Sequence, residues 1–150
     1  MARIAVTGAT GFIGGTVAAV LQAHGHEVRC LVRRDPGAGF PWPATVVDSG
    51  DTEALTRAID GTDAVAHLAI YNDFHGMYAD RARAYDGYVG LTRRVVDAAN
   101  AAWARVAYVS TGLGFDGPGA LGARPGTPTP VHPYGLPKAS PGGGVPHGAP

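Results

Sequence analysis

The 150-residue sequence predicts an α/β fold, a doubly wound parallel sheet of about five strands, with a disordered Gly/Pro-rich C-terminal tail. Three observations predict it. Five short apolar or β-branched runs alternate with helical stretches, the pattern of strands joined by crossover helices. The first run leads directly into a glycine turn that opens a helix. From Gly112 to Pro150 about half the residues are Gly or Pro, a level that belongs to loop or disorder. The expected division is therefore an ordered domain over 1–116 and a tail over 117–150.

The first strand is Arg3-Ile4-Ala5-Val6, followed by Thr7-Gly8-Ala9-Thr10-Gly11-Phe12-Ile13-Gly14 and an apolar-periodic helix from Phe12 to His24. Strand, glycine turn and helix in that order are the context in which a glycine pattern reads as a dinucleotide site. Gly8 permits a sharp turn off the strand, Gly11 keeps a Cβ out of the path of a pyrophosphate, and Gly14 lets the helix pack against the strand. The first amides of the helix and the positive end of its dipole then face the phosphates. The spacing, G-x-x-G-x-x-G, differs from the commoner G-x-G-x-x-G.

Gly25 stops this helix, and Glu27–Val32 reads as the second strand. Its end bears on cofactor type, because an acidic residue there would repel a ribose 2′-phosphate that a guanidinium can bind bidentately. Here Val32 is followed by Arg33 and Arg34, which favours NADP, with NAD as the alternative. Phe40-Pro41-Trp42-Pro43 reads as a loop. Ala44–Val47 reads as a third strand ending on Asp48, and Asp51 caps a helix over Thr52–Ile59. After Gly61-Thr62-Asp63 comes a fourth strand, Ala64–Ala69. A long helical stretch, Met77–Trp103, carries Tyr85, Tyr88, Val89, Thr92, Val95, Val96 and Ala99 at three- and four-residue steps, one buried stripe. The fifth strand, Arg105–Val109, ends on Ser110-Thr111. A strand order of 3-2-1-4-5 follows, with ligands outside the carboxyl ends, where Gly8, Asp48, His67 and Ser110 fall.

Composition narrows the function classes. Acidic and basic residues balance at twelve each, so neither nucleic acid nor a membrane surface is indicated as a partner. No apolar run approaches the ~20 residues of a membrane span, and the first residues do not resemble a signal peptide; the cytoplasm is the expected compartment. Cys30, the single cysteine, sits in an apolar run and reads as a buried structural thiol. The six histidines are scattered without ligand spacing, so no metal site is expected.

The stretch TGATGFIGG from Thr7 resembles the cofactor loop of the extended short-chain dehydrogenase/reductases, the group that includes nucleotide-sugar epimerases, dehydratases and dihydroflavonol-type reductases. The resemblance covers about residues 3–138. It implies a Rossmann-type fold and a nicotinamide cofactor lying against Gly8, Thr10, Gly11, Phe12, Ile13 and Gly14. It places Asp48 beside the adenine. Asp63-Ala64-Val65-Ala66-His67-Leu68-Ala69 resembles the family's D-x-V-x-H-x-A segment, whose backbone, here Leu68 and Ala69, runs under the ribose and diphosphate. His67 reads as packing near the cofactor rather than titrating in catalysis.

Tyr134-Gly135-Leu136-Pro137-Lys138 matches the family's Y-x-x-x-K signature. The resemblance implies that Tyr134 is the general acid/base on a substrate hydroxyl or carbonyl. Lys138 lowers its pKa and holds the nicotinamide ribose, and a hydroxyl of Ser110 or Thr111, with Thr111 favoured, binds the same substrate oxygen. The partner is then a small-molecule substrate. Three departures stand against this pattern. The strand-end hydroxyls have altered spacing, Pro137 falls within the signature, and Ser140–Pro146 cannot continue the long helix that follows Lys138 in relatives. Relatives also usually carry asparagine near the position of Tyr88. The leading expectation is an NADP-dependent oxidoreductase or sugar-nucleotide-epimerase relative. The alternative is a truncated or frame-shifted, catalytically inactive nucleotide-binding fragment or sensor, with an open sheet edge at the fifth strand through which it could self-associate.

Overall fold

The computed structural model describes residues 1–70, 76 and 79–110. The boundary expected at 116/117, the tail beyond it, and Thr111, Tyr134 and Lys138 lie outside the described residues. Two compact units are present, Met1–Ile70 with Arg93–Tyr108, and Tyr71–Thr92 with Val109–Pro150.

The first unit holds the sheet. Its elements are β1 (Arg3–Thr7), α1 (Phe12–Ala23), β2 (Glu27–Val32), β3 (Ala44–Val46), α2 (Thr52–Ile59), β4 (Ala64–His67) and β5 (Arg105–Tyr108). The strands lie in the order β3-β2-β1-β4-β5, and every pairing is parallel. This is the expected 3-2-1-4-5 order. The chain crosses over β1–α1–β2 to one side and returns through α2 to β4 on the other, so the strand order reverses between β1 and β4.

Alternation along the inner strands β1, β2 and β4 buries both sheet faces, whereas β3 is exposed throughout and β5 is at most half-buried. Val6, Val28, Cys30 and Val32 share one cluster with Ala9 and Ala18, next to α1. The alternate residues Ala5, Leu31 and Val65 are buried on the other face. That face also carries Arg29, whose guanidinium Nη1 donates to Ala58 O (3.3 Å) and Asp60 O (3.4 Å) at the end of α2. The starts of β1, β4 and β5 are tied together by Asp63: Arg3 N–H donates to its carboxylate, its own N–H donates to Arg3 O, and Arg105 N–H donates to Asp63 O.

Helix ends follow local chemistry. Asp51 caps α2 by accepting from Ala54 N–H (3.0 Å). At the end of α1, Gly25 (φ +80°) donates to Gln22 O and His26 N–H to Leu21 O, a Schellman motif that uses glycine's access to positive φ. Among the described residues no helix is long and apolar enough to cross a membrane.

Three strands are shorter than expected at their carboxyl ends, while β2 ends at Val32 as expected and β1 runs one residue further, to Thr7. β3 stops at Val46, although Val47 N–H still reaches Val32 O (2.8 Å). β4 stops at His67: Leu68 N–H is shared between Thr7 O (3.3 Å), the last ladder bond, and Thr7 Oγ1, and Ala69 N–H turns to Thr7 Oγ1 alone. β5 stops at Tyr108.

The expected single helix over 77–103 is interrupted. It reads α3 (Arg81–Tyr85), a π-helical turn (Asp86–Gly90) and α4 (Leu91–Ala101), of which Arg93 onward belongs to the first unit. The wide turn holds one extra residue and shifts the helical phase before it. Ala84 therefore takes the buried position expected of Tyr85, which is 49% exposed, and clusters with Tyr88 and Val89. Thr92 Oγ1 donates to Tyr88 O (2.7 Å), satisfying a carbonyl at the wide turn. Thr92, Val95 and Ala99 are buried as the stripe requires, but Val96 is only half-buried and Ala98 is buried beside Ala99.

Candidate functional site

β1 ends on a buried threonine. Thr7 Oγ1 accepts from Leu68 N–H (3.2 Å) and Ala69 N–H (3.1 Å) and lies 2.7 Å from His67 Nδ1. A hydroxyl has two lone pairs and one proton. The two amides fill the lone pairs, so we assign the hydroxyl proton to the bond with His67 Nδ1 and the ring proton to Nε2. His67 is buried (1% exposed) and its ring stacks on Tyr108 at 5.7 Å. The ends of β1 and β4 are thereby fixed to each other at the point where the strand order reverses.

Gly8 follows, at φ +75°. A Cβ there would lie 2.7 Å from Ala69 N and 2.8 Å from the Leu68 carbonyl carbon, so the closeness of the two strand ends excludes any side chain. Gly8 O accepts from Gly11 N–H (3.0 Å), closing the turn. A Cβ on Gly14 would meet Gly8 O at 2.1 Å, so the first turn of α1 rests directly on the glycine loop. Gly11 is the N-cap of α1 and no side chain caps the helix; its first turn carries no acid. The first amides of such a helix have no partner within it and face outward with the positive end of its dipole. Thr10 and Gly11 are exposed beside them, as are Phe12 (93%) and Ile13 (58%).

The register brings the other strand ends to the same edge. Thr7 pairs with Leu31 and with His67, and Val32 with Val46. Arg33 and Arg34 follow β2 immediately, are exposed, and make no hydrogen bond or ion pair among the described residues. Asp48 follows β3; its Oδ1 accepts from Gly50 N–H (2.8 Å) and its carbonyl from Asp51 N–H (3.1 Å). Arg94 of α4 braces this turn from outside, Nε donating to Ser49 O at 2.8 Å. Leu68 and Ala69 lie half-buried beneath Gly8. Ser110 is two residues past β5 and belongs to the second unit, with Thr111, Tyr134 and Lys138 beyond the described residues.

Two residues of this arrangement escaped the sequence reading. Thr7 carries a signal, a polar residue closing an apolar strand, but a β-branched threonine also simply suits a strand. Arg94 carries none, because its contact with Ser49 depends on how α4 packs.

The family model of the NAD-dependent epimerase/dehydratase family matches residues 4–140. The chain belongs to that family. It is 36% identical over 117 residues to the dTDP-6-deoxy-L-talose 4-dehydrogenase (NAD(P)(+)) of Kitasatospora kifunensis, covering 73% of this chain and 35% of that protein. It is 35% identical over 117 residues to the ceramide reductase of Caulobacter vibrioides, covering 72% and 34%. Among solved structures, a short-chain dehydrogenase/reductase superfamily protein from Agrobacterium tumefaciens with bound NAD superposes with a TM-score of 0.80 at 34% identity, over 94% of this chain and 43% of that one. The chain thus spans well under half the length of these relatives. The matched region takes in the β1–α1 turn, the ends of β2 and β3, and the β4 end with Leu68 and Ala69.

Proposed function

We propose that the carboxyl edge of the sheet binds a nicotinamide dinucleotide, NADP in preference to NAD, for an oxidoreductase or epimerase reaction on a small-molecule substrate. The observation that carries the reading is the uncapped, acid-free start of α1 resting on a glycine loop that has no room for a side chain at Gly8 or Gly14. Such an end suits a diphosphate, which can take the outward amides and the dipole, and the exposed Phe12 and Ile13 suit the flat apolar faces of a dinucleotide. When bound, the nicotinamide accepts or donates hydride.

The chain's own residues then have distinct tasks. The amides of the α1 first turn hold the diphosphate, while Leu68 and Ala69 floor the ribose path. Asp48 keeps a carboxylate oxygen toward the adenine. Arg33 and Arg34, with no ion pair among the described residues, supply charge for a ribose 2′-phosphate. Tyr134 is the proposed acid/base, Lys138 its electrostatic partner, and Thr111 or Ser110 the hydroxyl that orients the substrate oxygen.

Fluorescence titration with NADPH and NADH tests the cofactor assignment. Tighter binding of NADPH by about tenfold is expected, and R33S/R34S should remove the difference while leaving NADH binding in place. Equal affinities in the parent would reject the NADP assignment, and absence of binding to either would reject the nucleotide site. The proton-transfer role is tested by NADPH oxidation against carbonyl substrates with Tyr134→Phe alongside.

A further inference from the structure

The segment between β2 and β3 begins with Arg33-Arg34 and ends with Phe40-Pro41-Trp42-Pro43. Prolines at 41 and 43 keep the residues before them out of helical conformation, and the chain bends at Trp42. Phe40 and Trp42 pack together at this bend. Their rings meet edge to face, centroids 5.3 Å apart at 78°, and both pack against the cluster that contains Val28, Cys30 and Val32. Trp42 Nε1 donates to Gln22 Oε1 on α1 (3.1 Å), and Pro43 O accepts from Cys30 N–H (2.8 Å).

A chain of short bonds leads from this anchor back to the arginines. Phe40 N–H donates to Gly37 O (3.1 Å), and Gly37 N–H donates to Asp35 Oδ1 (2.9 Å), in the residue next to Arg34. An unanchored loop would sample many conformations, and holding its guanidiniums at one ligand oxygen would cost ordering entropy on binding. The anchor removes much of that freedom beforehand. It also references the arginine pair to α1, the same helix whose other end faces the proposed diphosphate.

We infer that Trp42, through Phe40 and Gln22, is a positioning residue that sets the preference for a 2′-phosphorylated dinucleotide. The inference rests on the assignment of Arg33 and Arg34 above. It is tested by titrating the parent, Trp42→Ala, Trp42→Phe and Gln22→Ala with NADPH and NADH, folding being checked by thermal melting. For Trp42→Ala the Kd for NADPH should rise about tenfold, the loss of one charge-assisted contact, while that for NADH changes by less than about twofold. Gln22→Ala and Trp42→Phe remove the indole–amide bond without emptying the site, and each should narrow the preference about threefold. These two decide the matter if Trp42→Ala does not fold. An unchanged ratio, or equal weakening for both nucleotides, would overturn the inference while the arginine assignment stands. A parent without preference for NADPH would overturn the arginine assignment itself and the inference with it.

Discussion

Thr7 Oγ1 and His67 Nδ1 stand 2.7 Å apart at the paired ends of β1 and β4, and both side chains are buried. The same oxygen accepts from two amides of the β4 end, so one hydroxyl organises the strand ends that carry the glycine loop. Thr7→Val keeps the shape and removes the oxygen, leaving buried polar groups without their partner. A loss of about 2–4 kcal/mol in urea unfolding is expected, against about 1 kcal/mol or less for Thr7→Ser. Crossing Thr7→Val with His67→Leu should give a coupling of about 1 kcal/mol or more. Additive losses would mean that the hydroxyl and the ring are independent.

Glycine has three different reasons to be present, and substitution separates them. At Gly14 the obstacle is Gly8 O, 2.1 Å from an added Cβ, so Gly14→Ala must displace α1 from the loop and should abolish NADPH binding. At Gly8 positive φ and the Ala69 backbone act together, and Gly8→Ala should fold poorly. At Gly25 an added Cβ meets nothing within 4 Å, so only the φ of +80° matters. Gly25→Ala should cost about 1 kcal/mol and leave binding intact. Parental melting and binding in Gly14→Ala would show that the loop accommodates a side chain after all.

The end of α4 repeats the Schellman pattern of α1 with a residue poorly suited to it. Trp103 donates to Asn100 O and Ala104 to Ala99 O, while Trp103 itself stands at φ +56° and is 94% exposed. Trp103→Gly relieves the left-handed strain and loses almost no buried surface. Stabilisation by about 0.5–1 kcal/mol is expected, read as a higher urea midpoint.

Sheet order and glycine loop were legible because each follows from local alternation: apolar runs, helical periods, and glycines at the turn between them. Strand ends were not, because Leu68 and Ala69 continue the apolar run of β4 while their amides turn to Thr7. The π-helical turn was invisible for a similar reason. Three- and four-residue steps persist through Asp86–Gly90, and only the exchange of Tyr85 for Ala84 on the buried side reveals the extra residue. Contacts between distant segments, such as Arg94 with Ser49, depend on packing that no periodicity encodes.

Arg94 offers a direct test of how the Asp48 turn is held. Its Nε bond to Ser49 O braces a turn whose inner bonds run from Gly50 N–H and Asp51 N–H to Asp48. Arg94→Ala should speed hydrogen exchange at the Gly50 and Asp51 amides by about tenfold, with exchange in β1 unchanged. Unaltered exchange at both amides would show that the turn holds itself.

Cys30 gives the pH dependence. It lies in mid-β2, paired with Val6 and Ala44, and is fully buried. Burial disfavours the thiolate and pushes the thiol from 9.0 up to about 11. The sign follows from proton counting. Above pH 9 the unfolded chain releases this proton while the folded chain keeps it, so unfolding becomes easier as pH rises. The thiol's contribution is whole below pH 9 and is lost progressively as pH climbs to about 11, a total of about 2–3 kcal/mol. Other groups also titrate there, so the measurement is the difference between the parent and Cys30→Ala in urea unfolding at pH 8, 9.5 and 10.5 under reductant. The parent should lose its advantage across that series. In parallel, a thiol reagent at pH 8 should react slowly with the folded chain and rapidly in urea, because only unfolding exposes the sulfur and lets it ionise. Equal pH slopes for the two chains, or fast labelling of the folded form, would show that Cys30 is reached by water in the native state.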